Sequence, residues 1–204
     1  MTTTAIINAR IYTVDSGFSV FDNGTLVFDE HSIIAVGDAT DSVIPAGARV
    51  IDGRGRLAVL PGLIDTHSHS SLLKGYSENA QLMDWLPAYQ REHQVLTEED
   101  AWHSCMISYL EAIKGGTCTV LDMYRKLHQG AAAASELGMR LNLVPYAADH
   151  PTKLFFETLT DNQRLIETYD KTDNGKIRVW LGLEHITYCS ADMYREARRM
   201  ADAY

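Results

Sequence analysis

Short apolar runs separated by polar turns fill the first 60 residues, and no helical spacing appears among them. The run from Ala5 to Val14 is rich in β-branched residues and closes on Asp15-Ser16-Gly17. Thr25–Phe28 follows the turn pair Asn23-Gly24, Ser32–Val36 precedes Gly37-Asp38, and Arg49–Asp52 precedes Gly53. Strands this short and this closely spaced predict a small antiparallel β unit over residues 1–56, read as part of a β-sandwich.

From residue 57 the pattern changes. Leu57–Asp65 is almost continuously apolar, which predicts a strand buried on both faces. A loop follows, and then a long helix over Thr97–Lys114. Thr97 with Asp100 makes a capping-box start, Ala101, Trp102, Cys105, Met106, Tyr109, Leu110 and Ile113 keep helical spacing, and Gly115-Gly116 stops it. Strand Thr117–Asp122, helix Leu127–Leu137, strand Arg140–Val144, helix Asp161–Asp170 and strand Ile177–Leu183 come next. Ser190 caps a last helix running to Tyr204. Strand and helix thus alternate four times over residues 57–204. Such alternation predicts an α/β fold with a parallel sheet, either doubly wound or closed into a barrel. Neither a dinucleotide fingerprint nor a phosphate-cradling glycine loop is present, which argues against a nucleotide-binding sheet.

Composition narrows the partners. A formal net charge of −9 would repel a phosphate backbone, so nucleic acid is not expected. No run of about 18 apolar residues exists to span a membrane. Three widely spaced cysteines, Cys105, Cys118 and Cys189, fit a reducing cytoplasm better than a disulfide scaffold.

The candidate chemistry lies in Pro61-Gly62-Leu63-Ile64-Asp65-Thr66-His67-Ser68-His69. Residues two apart on an extended strand face one side, so His67 and His69 can reach a single ion, and imidazole is a common ligand for catalytic transition metals. The pair also follows the C-terminal end of an apolar strand, where barrel enzymes carry their active groups.

This stretch, after a β-rich start, resembles the opening signature of the amidohydrolase superfamily. Leu72-Leu73-Lys74-Gly75, Leu82–Leu86, Leu96–Asp100 and Gly115–Tyr124 are similar to the branch containing methylthioadenosine/S-adenosylhomocysteine deaminases and triazine hydrolases. His185-Ile186-Thr187-Tyr188-Cys189-Ser190 is similar to that branch's fourth-strand motif. The resemblance implies the first four strand-helix units of a TIM (β/α)8 barrel and one divalent ion, zinc or iron. That ion would be held by His67 and His69 and would activate water against an sp² carbon of an aromatic N-heterocycle. His185 would contact the substrate. The family's early substrate-binding Glu maps ungapped onto His93 and, with a one-residue shift, onto Glu92, the candidate carried forward. Glu184 stands where the family usually has Pro. Hydrolysis of a cyclic amide or of a carbon–chlorine bond is the alternative chemistry, and a truncated, non-catalytic binding relative is the third reading.

Two ligands are fewer than a catalytic metal site uses. The resemblance places the remaining His, Asp and Glu groups on later strands, so the general acid/base is expected outside these residues. A complementing chain carrying the second half of the barrel is the expected partner, in a higher oligomer. Lys153 as a carbamylated bridging ligand is a minor candidate. The remaining histidines, His31, His93, His103, His128 and His150, read as surface or helix-face residues.

Overall fold

The protein is described here by a computed structural model that covers residues 3–70, 79–151 and 155–204. Two compact units emerge, Met1–Pro61 and Gly62–Tyr204.

The first unit is one five-stranded mixed sheet. Strands β1 (Thr4–Tyr12), β2 (Val20–Phe28) and β3 (Ile33–Asp38) run antiparallel in the order β3-β2-β1. Strands β4 (Arg49–Asp52) and β5 (Ala58–Val59) both pair with β1 in parallel, so the expectation of a purely antiparallel unit is corrected. Asn23-Gly24 is not a turn either. Both residues lie inside β2, and Gly24 sits opposite Ala9 between two register shifts. A Cβ on Gly24 would meet Ile11 Cδ1 at 2.6 Å, so this glycine serves a close approach of two strands. The turn that joins β1 to β2 is built on Asp15, whose Oδ1 accepts from the backbone N–H of Gly17 (3.1 Å) and Ser19 (3.4 Å).

The second unit is a parallel four-stranded sheet, ordered β6 (Leu63–Ser68), β7 (Thr117–Tyr124), β8 (Arg140–Pro145), β9 (Ile177–Val179). The expected single strand 57–65 is therefore two strands in two different sheets. Nor is β6 buried on both faces. It is an edge strand, and Leu63 and Ile64 are 59% and 66% exposed because only β7 flanks it among the described residues.

Helices α1 (Leu82–Val95) and α2 (Glu98–Lys114) separate β6 from β7, and α3 (Leu127–Leu137) links β7 to β8. Helix α4 (Leu159–Tyr169) and a four-residue turn α5 (Thr172–Gly175) lead to β9, and α6 (Ala191–Ala203) follows it. The reciprocal Thr97–Asp100 capping box opens α2, and Thr158–Asp161 makes the same device at α4. Ser190 caps α6 through a bond from Met193 N–H. At the end of α3, Gly138 adopts φ +70°, which releases the chain into β8. Tyr109, Val120, Leu127, Ala131, Ala134, Leu141, Leu143 and Ile177 form the buried core between helices and sheet. No helix among the described residues is long and apolar enough to cross a membrane.

The fourth strand is shorter than the predicted 177–183. Beyond Val179 the ladder is carried by the side chain of Asn162, fully buried on α4, which donates to Trp180 O (3.2 Å) and accepts from Gly182 N–H (2.9 Å). Pairing resumes as a single bridge between Ala147 and Leu183. Gly182 packs so tightly that any Cβ there would run into the carbonyl of Pro145.

Candidate metal centre

The C-terminal end of β6 departs from a regular strand at the candidate ligands. Asp65 pairs with Val120 and Ser68 with Asp122, so three steps on β6 match two on β7, the signature of a bulge. Inside it, Asp65 Oδ1 accepts the His67 backbone N–H at 3.0 Å. The Nε2 atoms of His67 and His69 converge to 3.0 Å, with ring centroids 4.7 Å apart and planes at 85°. Simple strand alternation, as expected from the sequence, is thus only part of the reason; the bulge aims the rings at one point.

The partners of His69 fix which nitrogen is available. Its Nδ1 lies 2.6 Å from the backbone carbonyl of Met123, and a carbonyl can only accept. Nδ1 therefore carries the proton and leaves the Nε2 lone pair facing His67. This arrangement is the usual support of a metal-bound imidazole. The hydroxyl of Tyr146, just past β8, also lies 3.0 Å from Nδ1. One ion at about 2.0–2.1 Å from each nitrogen would fit the observed spacing. Donor type, tautomer and spacing all suit zinc. Among the described residues, however, no group of three or more His, Cys, Asp or Glu side chains could hold a metal ion.

Around this pair the ends of β7 and β8 supply a buried aromatic wall. Tyr124 and Tyr146 have ring centroids 6.2 and 5.9 Å from His69. Burial drives the hydroxyl pKa values of Tyr89, Tyr124 and Tyr146 above the ordinary range, so all three stay neutral hydroxyls at physiological pH.

Helix α1, read from the sequence as loop, places both Glu92 and His93 at 3% exposure. Glu92 acts electrostatically on Tyr124. The His93 ring packs against Tyr89 (centroids 4.1 Å), Tyr124 (4.8 Å) and Phe155 (5.9 Å), and neither of its nitrogens is hydrogen-bonded among the described residues. Burial foremost, then the Arg125 and His69 charges, bring its pKa down to about 3. His93 is therefore no surface histidine.

His185 follows the Ala147–Leu183 bridge, at the same end of the sheet as the pair. It is exposed, and its Nδ1 accepts from Thr187 N–H (3.2 Å) and lies 2.8 Å from Thr187 Oγ1. The proton must then sit on Nε2, which is left as a donor. No hydrogen bond joins His185 to His67 or His69. Its neighbour Glu184 is half-buried, its pKa is raised by burial, and its charge acts on Tyr89 and Tyr146. That links the fourth strand to the hydroxyl on His69.

The other histidines are held locally or exposed. His103 donates to Glu99 O at 2.9 Å, and His128 pairs with Glu98 at 2.5 Å. His150 packs edge-on against Tyr188, and His31 is exposed. Lys153 and the segment Leu72–Gly75 lie outside the described residues.

Comparison with known proteins places the chain in a family. The chain is 28% identical over 199 residues to a 5′-deoxyadenosine deaminase of Methanosarcina barkeri, covering 96% of this chain and 45% of the relative. It is 31% identical over 192 residues to a 5-methylthioadenosine/S-adenosylhomocysteine deaminase of Acetivibrio thermocellus, covering 89% and 42%. The fold superimposes with a TM-score of 0.86 on a zinc-complexed atrazine chlorohydrolase of Arthrobacter aurescens TC1, at 22% identity, over 98% of this chain and 51% of that one. The chain thus spans about half the length of the proteins it matches. Its α/β architecture corresponds to the N-terminal half of their barrels. The profile of the amidohydrolase family matches residues 58–204, and the chain belongs to that family.

Proposed function

We propose that these residues supply the first metal ligands and one substrate contact of a barrel that hydrolytically deaminates an aromatic N-heterocycle, of the adenine-nucleoside type. The observation that carries this reading is the convergence of His67 and His69 Nε2 at 3.0 Å, with His69 Nδ1 committed to the Met123 carbonyl. When bound, a divalent ion there supplies an activated water for attack on an sp² carbon.

The chain's own groups divide the remaining work. Tyr146 and Met123 hold the tautomer of His69. His185 offers an Nε2–H to a ring nitrogen or substituent of the substrate, and Glu92, buried on α1, is the candidate second contact. The proton-transferring carboxylate and the further ligands come from the other half of the barrel, outside these 204 residues. Among the described residues of the first unit, no cluster of His, Cys or carboxylate side chains stands at ligand spacing.

The test is release of ammonia by the zinc-loaded full-length protein from 5′-deoxyadenosine, methylthioadenosine and S-adenosylhomocysteine. Ammonia from at least one of them is the expected result. Release of chloride from a chlorotriazine without any ammonia would move the assignment to the carbon–chlorine reaction, and failure to retain zinc would remove the metal reading itself.

A further inference from the structure

We infer that Asp122 is the positioning residue of the metal pair, gripping the ligand strand through Ser70 at the point where the main-chain ladder gives out.

Asp122 is fully buried near the end of β7, an unusual place for a carboxylate unless every oxygen is used. Both oxygens are. Oδ1 accepts the backbone N–H of Ser70 at 3.0 Å, and Oδ2 accepts from the hydroxyls of Ser70 and Tyr109, the latter at 2.5 Å. Ser70 is the residue after His69, and it too is buried. Its carbonyl accepts from Ser108 Oγ at 3.2 Å, and its hydroxyl lies 3.2 Å from Cys105 Sγ, both on α2. Ser70 is therefore held at its N–H, its hydroxyl and its carbonyl.

The placement matters because β6 bulges between Asp65 and Ser68. A bulge frees the strand locally, and the imidazoles of His67 within it and His69 just beyond it would swing unless something fixed the chain again. β7 does this with two consecutive residues: the carboxylate of Asp122 holds Ser70, and the carbonyl of Met123 holds His69 Nδ1. A side chain thus replaces the missing ladder bonds one residue from a ligand. Room for the network is left by Gly130 on α3, where a Cβ would meet Tyr109 Oη at 2.8 Å. This inference rests on His67 and His69 being metal ligands.

The experiment measures zinc affinity by chelator competition, and the visible spectrum of the cobalt-substituted protein, in the full-length enzyme. Asp122→Asn keeps the size of the side chain but turns a donor toward the Ser70 and Tyr109 hydroxyls. It should weaken zinc binding about tenfold and alter the cobalt spectrum; losses of about 10–100-fold are usual for groups that orient ligands. Tyr109→Phe removes one bond to the same carboxylate and the 3.3 Å bond from Ser70 Oγ to the Tyr109 hydroxyl, yet leaves both Asp122–Ser70 bonds, so its zinc affinity should stay within about threefold and its cobalt spectrum unchanged. Equal losses in the two variants, or an Asp122→Asn protein with wild-type affinity and spectrum, would overturn the positioning role while leaving the metal reading intact. A wild-type protein that binds no zinc overturns both.

Discussion

Of the two outer strands of the parallel sheet, β6 carries His67 near its end with His69 just beyond, and β9 is followed by His185, yet the two ends are held in opposite ways. At β6 the imidazoles are tied across the sheet: His69 to Met123, its successor Ser70 to Asp122, and Tyr146 at hydrogen-bond distance from His69 Nδ1. At β9 the ladder is completed by a side chain from α4, and His185 is tied only within its own turn, to Thr187. A group that must meet an ion at fixed length needs support from rigid neighbours, whereas one that meets a substrate of variable shape can tolerate a local tether. On the proposed reading, the difference in anchoring separates the metal pair from the substrate contact on one sheet.

The largest expected effect probes the metal end directly. In a protein carrying both His67→Ala and His69→Ala, bound metal should fall to background and activity should be lost; metal analysis showing wild-type content would break the comparison at its root. His185→Asn should instead keep the metal. Its kcat/KM should fall about 10–100-fold, equivalent to about 1.4–2.7 kcal/mol, and metal lost together with activity would show the two ends to be one.

Asn162→Ala removes the side chain that completes β9 and strands the buried N–H of Gly182 and the part-buried carbonyl of Trp180. Chemical denaturation should report a loss of about 2–3 kcal/mol, with zinc affinity unchanged. His93 sharpens the metal side through pH. Its folded pKa, near 3, lies below the ordinary 6.5. Below about 6.5 the unfolded chain takes up a proton that the folded one refuses, so stability should decline as pH falls from there toward 3. His93→Phe should flatten that part of the pH–stability curve, and an unchanged slope would show that the imidazole is not the source. The smallest effect is expected in the first unit, where Asp15→Ala should loosen a turn and leave turnover within about twofold; a hundredfold loss with metal and fold intact would place chemistry there.

The sequence made the outer helices legible because their ends are written locally. Thr97, Gly138 and Ser190 sit at caps whose chemistry spans three or four residues, and α3 runs over the expected residues. Helix α1 escaped because Pro87 lies inside it and proline argues for a break. Asn23-Gly24 reads as a turn by type, but its strand conformation depends on Ile11 across the sheet. The division of Leu57–Asp65 between two sheets leaves no mark in hydropathy. Likewise His67 and His69 announced themselves by spacing, while Asp122 looked like an ordinary strand end. Its partner Ser70 is 52 residues away, and no local pattern connects them.

Gly182 has a consequence for how such a site can change over time. Because a Cβ at Gly182 would run into the carbonyl of Pro145, that one position cannot take a side chain without displacing β8. On the proposed reading, changes in substrate fit fall instead to the turn beyond it, at residues 184–188, where Glu184 and His185 stand and His185, Ile186 and Thr187 are open to solvent.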